Sequence, residues 1–371
     1  RDQYAEWYRV NMGRMIPVMK AKGEIGEREK VETKWRLYAV FNNYVQLPLS
    51  MFMANLFSSH GGRDLYRTGD NSAWSLLGWS QYHGGMQDLL LNMTSEVNEK
   101  GFAISVYSDN LWILYRNMKG DMIWMSLDGS SMECSITRRD FALFISYVKR
   151  VYWKDANMTL GWKFYLEQLM PDLVIDGLTV LEKTQVFNIG QFSGTFGTAY
   201  LNSLKMILSV AALEKLLQKE VVYDKNKKNP RLKDWYPTVP LQGFTIIPTD
   251  QKLPDSFDAC FSGLGVVLKV EKVTNSLLFD WISGRGVAPS ERVVQLDLLA
   301  TDVRVLPELG IIGGLFPIYP ALSEERLYKA ITYNKLIYRE SEKGTVPSAV
   351  ERLHIAERAR LKSLYLLGGW A

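Results

Sequence analysis

Cysteine and histidine are both scarce: two Cys (Cys134, Cys260) and three His (His60, His83, His354) in 371 residues. A chain of this size buries about three quarters of its unfolded surface without covalent staples. A disulfide-built fold is therefore excluded. The histidines stand far apart and no Cys/His pair has metal-ligand spacing, so zinc chemistry is a poor reading of this chain, and the histidines are read as structural. Long apolar runs are missing too. The longest charge-free stretch, 37–62, carries Asn42, Asn43, Gln46, Asn55 and His60, which rules it out as a bilayer span. No charged-then-apolar leader follows Arg1 and no Met stands there, so we expect a piece of a longer, intracellular chain. The sequons at Asn92 and Asn157 are then read as chance matches. No Gly-Lys-Ser/Thr phosphate loop occurs, the Ser between Gly190 and Gly194 falls one place late for a nucleophile elbow, and no internal repeat is visible.

What is present is a mixed pattern. The 47% apolar content and the length predict two or three lobes. Apolar residues recur at helical spacing over Met86 to Glu99 (Met86, Leu89, Leu90, Met93, Val97), over Thr137 to Trp153 (Phe141, Phe144, Ile145, Val148) and over Gly197 to Glu220 (Leu201, Leu204, Leu208, Leu213, Leu217). Short β-prone runs stand at Phe102 to Val106, Leu111 to Tyr115 and Met122 to Leu127, with further ones at Phe244 to Ile247, Gly265 to Val270 and Val293 to Leu298. Tyr4 to Arg36 reads as a charged hairpin or arm, Asp224 to Asp234 as a loop, and Glu351 to Tyr365 as a helix. The pattern predicts an α+β core carrying lobes at both ends. A net charge of +4 permits an anionic partner without requiring one.

Two constellations carry chemistry. The first is a register. The run ending near Tyr115 and the run starting near Asp121 are joined by Asn117 to Gly120, a connection short enough to force antiparallel pairing. A hairpin centred between Met118 and Lys119 places Asp109 opposite Asp128 at one end of the sheet. Adjacent carboxylates repel unless a divalent cation shares them, and oxygen-only ligands favour Mg²⁺ or Mn²⁺. The same spacing also suits two ordinary turn aspartates at strand ends. The second constellation is Ser193-Gly194, Thr198 and Asn202, each separated from the last by three intervening residues. Chance produces it at about one start in 10⁵. Gly194 permits an unusual backbone at the entry to a helix, and Thr198 and Asn202 share one helix face. A capped helix with a polar stripe has the same appearance.

With these residues in place, the chain resembles the permuted-palm viral RNA-dependent RNA polymerases of permutotetraviruses, with birnavirus polymerases as close relatives. The turn Tyr107-Ser108-Asp109-Asn110 resembles motif C, Ser126 to Glu133 resembles motif A, and Ser193 to Asn202 resembles motif B, in the order C, A, B. Gly243 to Lys252 resembles motif D, Lys30 to Leu37 the basic motif F, and Leu296 to Leu299 with Gly310 to Ala321 the start of a birnavirus thumb.

The resemblance implies a right hand: fingers with motif F over 1–90, palm over 91–265 with a fingers insertion at about 140–190, and palm end plus thumb over 266–371. It implies template-directed RNA synthesis by two-metal nucleotidyl transfer, with RNA template, nascent strand, nucleoside triphosphates and other viral proteins as partners, in host cytoplasm or virion. Asp109 and Asp128 would be the metal ligands, and Asn110, standing where motif C usually has its second acid, an auxiliary ligand or primer-end contact. Lys252 would be a general acid for pyrophosphate departure. Lys30, Lys34 and Arg36 would neutralise the triphosphate. Glu133, Ser193, Gly194, Thr198 and Asn202 would bind the nucleotide and discriminate its sugar. Two other classes fit parts of the pattern: a palm-derived RNA-binding or virion structural protein without catalysis, and a palm-type nucleotide cyclase.

Overall fold

The computed structural model describes residues 16–21, 37–43, 45–47, 66–67, 73–100, 102–116, 120–152, 178–181, 184–187, 190–191, 193–194, 197–222 and 261–322, with Glu6 and Ser50. Among the described residues there are three sheets. The largest has six strands: β3 (Tyr66–Arg67), β4 (Ala73–Ser75), β5 (Phe102–Tyr107), β6 (Asn110–Arg116), β7 (Met122–Ser130) and β10 (Val267–Asn275), in the spatial order β10-β7-β6-β5-β4-β3. Neighbours pair antiparallel except β4 and β5. A four-stranded sheet has the order β2-β1-β8-β9, from β1 (Val18–Ala21), β2 (Leu37–Val40), β8 (Leu178–Leu181) and β9 (Thr184–Phe187). The third holds β11 (Val293–Leu298), β12 (Thr301–Val305) and β13 (Ile318–Leu322).

Helices α1 (Gly85–Lys100), α2 (Met132–Ser135), α3 (Arg138–Tyr152), α4 (Thr198–Val222) and α5 (Leu278–Ile282), with a 3₁₀ turn at Pro307–Leu309, complete the described elements. The mixed α+β class expected from the apolar spacing is therefore the class observed. Predicted and observed bounds agree within a few residues for α1, α3, α4 and β5 to β7, and coincide for β11. The expected strand Phe244 to Ile247, the loop Asp224 to Asp234 and the helix Glu351 to Tyr365 lie outside the described residues, as do His60, His354 and most of Tyr4 to Arg36.

The core forms because β6 and β7 alternate. Trp112, Leu114, Met122 and Trp124 lie on one face of the large sheet and bury against Met86, Leu89, Leu90, Met93 and Val97 of α1, Leu278 and Phe279 of α5, and Val294 and Leu296 of β11. Trp124 stacks on Phe279 with ring centroids 6.0 Å apart. Both indoles also satisfy their N–H groups on β11: Trp112 Nε1 donates to the Asp297 carbonyl at 3.2 Å, Trp124 Nε1 to that of Leu296 at 2.9 Å. Large sheet and small sheet are thereby one packed unit. On α4, Tyr200, Leu201, Met206, Ile207 and Val210 are buried, and the helix crosses β4 and β5.

The hairpin register departs from expectation by one. Asn110, not Asp109, is the Cα partner of Asp128, and the ladder runs to Arg116 opposite Met122, so paired numbers sum to 238 rather than 237. The connection is 117–121, one residue longer than expected, and the centre moves onto Lys119. Because side chains alternate, this shift decides which residue shares a face with Asp128.

Helix α3 begins at a capping box. Thr137 Oγ1 accepts from the Asp140 backbone N–H at 3.3 Å, while Asp140 Oδ2 accepts from the Thr137 backbone N–H at 2.8 Å and from its hydroxyl at 2.7 Å. Both oxygens of Asp140 also take the Lys205 ammonium of α4 at 2.9 Å, in a largely buried pair. Leaving a buried charge without its partner costs about 3–5 kcal/mol. Asp140→Ala is therefore expected to lower the unfolding free energy by about 3 kcal/mol or more, read from denaturant midpoints. A loss below about 1 kcal/mol would mean that the pair does not fasten α3 to α4.

Candidate active site

At the open end of the large sheet the pairing of Tyr107 with Asn110 leaves Ser108 and Asp109 as a two-residue turn. Beyond Trp112 and Ser126, the next cross-strand pair on the same face is Asn110 with Asp128, both half-buried. The turn bends over the end of β7: the Gly129 backbone N–H donates to the Asp109 carbonyl at 2.7 Å, so Asp109 sits against the residue that directly follows Asp128. Asn110 Nδ2 donates to Asp109 Oδ1 at 3.1 Å. Asn110 thus orients one carboxylate while lying beside the other. Asp109 is thus brought beside the end of β7 by the turn, and not opposite Asp128 as the expected register had it.

On the far side of β7, Lys269 of β10 is the Cα partner of Asp128. Its ammonium is exposed and pairs with Glu271 at 2.5 Å. A row Asn110, Asp128, Lys269 therefore crosses three strands on one face. The long-range pairing of β10 with β7 gave no sequence signal, so Lys269 was not foreseeable.

The Ser-Gly, Thr, Asn constellation closes on this end of the sheet. Ser193 and Gly194 form a turn whose carbonyls are both used: Ala39 N–H of β2 donates to Ser193 O at 2.8 Å, and Gln46 Nε2 to Gly194 O at 3.0 Å. Gly194 has φ +106°, and a Cβ there would lie 2.2 Å from the Ala39 carbonyl oxygen, so only glycine fits. Thr198 opens α4 and its Oγ1 lies 3.4 Å from Gln191 Nε2. One turn later Asn202 Nδ2 reaches the Ser108 hydroxyl at 3.4 Å, on the turn that carries Asp109. The shared face of Thr198 and Asn202 is therefore aimed at the acidic turn.

Glu133 lies on α2 with an exposed side chain, and its carbonyl accepts the Gln191 N–H at 2.8 Å. Gly190, at φ +107°, passes so close that a Cβ would meet that same carbonyl at 2.2 Å. The chain just before Ser193 is thus zipped to α2, a few residues beyond Asp128. Gln191 and Ser203 belong to the site although no motif marked them. Among the described residues, Gln191 Oε1 and Asn202 Oδ1 are buried acceptors without a hydrogen-bond partner. Lys30, Lys34, Arg36 and Lys252 lie outside the described residues.

Two carboxylates at one sheet end form an oxygen-only donor set, which suits a hard divalent cation. Among the described residues no cluster of three or more His, Cys, Asp or Glu side chains stands ready for a metal, so Glu133 does not join the pair. No described helix is long and apolar enough to cross a membrane.

Known proteins resemble this chain in sequence and fold. The RNA-directed RNA polymerase of infectious pancreatic necrosis virus (strain Sp) is 23% identical over 303 residues, covering 80% of this chain and 32% of that protein. That of blotched snakehead virus is 24% identical over 305 residues, covering 80% and 31%. The chain thus spans about a third of the length of these curated relatives. Among solved structures, the RNA polymerase VP1 of infectious pancreatic necrosis virus superposes with TM-score 0.70 at 20% identity, over 96% of this chain and 42% of that one. The birnavirus VP1-VP3 complex gives the same values. These two likenesses establish the fold. The family model of the permutotetravirus RNA-dependent RNA polymerase palm domain matches residues 5–235, well over half the chain, and with its three motifs in permuted order this chain belongs to that palm-domain family.

Proposed function

We propose that this chain is the catalytic part of a viral polymerase that copies an RNA template into RNA from ribonucleoside triphosphates. The observation that carries the reading is the meeting, at one sheet end, of the Asp109 turn, Asp128 and the Thr198–Asn202 face of α4. Family membership and the curated relatives' name, RNA-directed RNA polymerase, support it.

In this reading Asp109 and Asp128 hold Mg²⁺ or Mn²⁺. A pair of such ions supplies charge stabilisation for the attacking 3′-oxygen and the leaving pyrophosphate. The residues do the rest. Asp109 and Asp128 present fixed negative charge, and Asn110 orients the Asp109 carboxylate through its amide N–H. Asn202 Oδ1, a buried acceptor, suits a ribose hydroxyl donor, because an acceptor left unmatched costs about 1–3 kcal/mol. Thr198, Ser193, Gly194 and Glu133 complete the proposed sugar pocket, Lys30, Lys34 and Arg36 the triphosphate site, and Lys252 the general acid. The fingers, palm and thumb bounds given above are part of the same proposal, as is residence in host cytoplasm or virion. The birnavirus polymerase solved with VP3 supports a second viral protein as a partner.

Primer extension on a defined RNA template, with and without divalent cation, tests the reading. Template-dependent, metal-dependent addition of ribonucleotides is expected. Absence of extension under all metal conditions, with RNA still bound, would instead favour a non-catalytic RNA-binding protein.

Asn110→Asp tests the metal assignment more finely. It exchanges an amide that hydrogen-bonds Asp109 for a third charge beside two carboxylates, which raises repulsion in the metal-free state and affinity for a divalent cation. The variant is expected to fold and to change the ratio of Mg²⁺- to Mn²⁺-supported activity. Identical metal titrations for both proteins would contradict this.

A further inference from the structure

We propose that Ser203 is a positioning residue which fixes the metal-binding turn to the motif B helix; the inference rests on the polymerase reading and deepens it. Ser203 follows Asn202 on α4 and its side chain is fully buried. Its hydroxyl donates to the Ala199 carbonyl one turn back at 2.8 Å and accepts the Ser108 backbone N–H at 2.6 Å. This second bond joins residues 95 positions apart and lands on the residue immediately before Asp109.

The turn needs such a tie. Ser108 has φ +54°, a left-handed backbone that costs an L-residue about 1–2 kcal/mol. It is held from both sides. From α4 come the Ser203 Oγ acceptor and the Asn202 Nδ2 donor. From β7 comes the Gly129 N–H on the Asp109 carbonyl, at a contact so close that a Cβ on Gly129 would sit 3.2 Å from that oxygen. The height of the Asp109 carboxylate relative to Asp128 is then set jointly by β7 and by Ser203. Thr198 and Asn202 stand in the proposed sugar pocket on the same helix, so whatever moves α4 when a nucleotide binds moves the Asp109 turn with it.

Without Ser203 Oγ the Ser108 N–H loses its acceptor at a half-buried position, and the turn is free to relax from its strained φ. Groups that hold a metal ligand in place are worth about 10–100-fold in metal affinity or activity. The test uses the full-length protein and reads Mn²⁺ binding by electron paramagnetic resonance, without RNA or nucleotide, alongside single-nucleotide addition. Ser203→Ala is expected to weaken Mn²⁺ binding about 10-fold or more and to lower kcat while KM for the nucleotide changes less than about twofold. Ser203→Cys, nearly isosteric but a weak acceptor, is expected to lose part of this and serves if the alanine variant does not fold.

Ser209 is the control: its hydroxyl also donates to a carbonyl one turn back, that of Lys205 at 2.9 Å, so Ser209→Ala removes the same kind of helix bond. It should leave Mn²⁺ affinity and kcat as in the unaltered protein. Unchanged Mn²⁺ affinity in both Ser203 variants, or an equal loss in Ser209→Ala, would overturn the assignment. Failure of the polymerase reading would look different, because the unaltered protein itself would then extend no primer.

Discussion

Asp128→Ala is expected to abolish nucleotide incorporation while leaving the fold and RNA binding largely intact. Asp128 is half-buried at the end of β7 and is not one of the buried apolar core residues, so its truncation opens no large cavity. Removing one of two neighbouring carboxylates also removes repulsion in the metal-free protein. What is lost is the divalent-cation site, worth several kcal/mol of transition-state stabilisation. At about 1.4 kcal/mol per decade that is about a thousandfold in rate or more. A thermal shift adds a second readout. A ligand that binds only the folded state stabilises it, so Mg²⁺ or Mn²⁺ should raise the melting temperature of the unaltered protein and leave that of Asp128→Ala unmoved. Retained extension activity in the variant would place the metal site elsewhere.

Gly194→Ala is expected to have an effect nearly as large by another route. The added Cβ would fall 2.2 Å from the Ala39 carbonyl oxygen, which belongs to the backbone of β2 and cannot swing aside, and φ +106° is strained for any L-residue. The Ser193–Gly194 turn must therefore shift away from β2, breaking the Ala39 N–H to Ser193 bond and carrying the start of α4 with it. Misplacing a catalytic element by about 1 Å costs about 100-fold. Single-nucleotide addition should fall by about that factor, and discrimination between ribo- and deoxyribonucleotides should weaken, since Thr198 and Asn202 move too. Wild-type rates and selectivity in Gly194→Ala would show that the turn is not coupled to the sugar pocket.

How much of this was legible in the sequence differs element by element. Helix α1 was readable because it buries a stripe at helical spacing, and β11 because its exposure alternates strictly along the strand; α4 was located by its apolar spacing, but Leu208 of the expected stripe is exposed and Met206, Ile207 and Val210 are buried instead. The hairpin of β12 on β11 gave no warning. Its turn, Leu299-Ala300, holds φ of +51° and +62° without a single Gly, Asn or Asp. It persists because Asp302 Oδ1 accepts the N–H groups of both Leu296 and Asp297, a tertiary device that turn composition does not encode. The sheet of β1, β2, β8 and β9 was likewise hidden, since Val18 pairs with Val180, 162 positions along the chain.

The candidate site shows the same split. Asp109, Asp128, Thr198 and Asn202 stood out because their residue types and spacing carry chemistry. The one-residue error in register arose because hairpin length fixes pairing, and a five-residue connection looks like a four-residue one in sequence. Lys269 and Gln191 reach the site by pairings that only the fold creates. Ser203 escaped notice for a different reason: a serine inside a helix reads as filler until the partner of its hydroxyl is known.

The central claim is that Asp109 and Asp128 share divalent cations. Anomalous diffraction from crystals of the full-length protein soaked in Mn²⁺ tests it most directly. An anomalous peak bonded to a carboxylate oxygen of each residue, at about 2.0–2.6 Å, is the expected result. A peak that touches only one of the two acids, or Mn²⁺ bound at a separate place with this sheet end left bare at saturating metal, would contradict it.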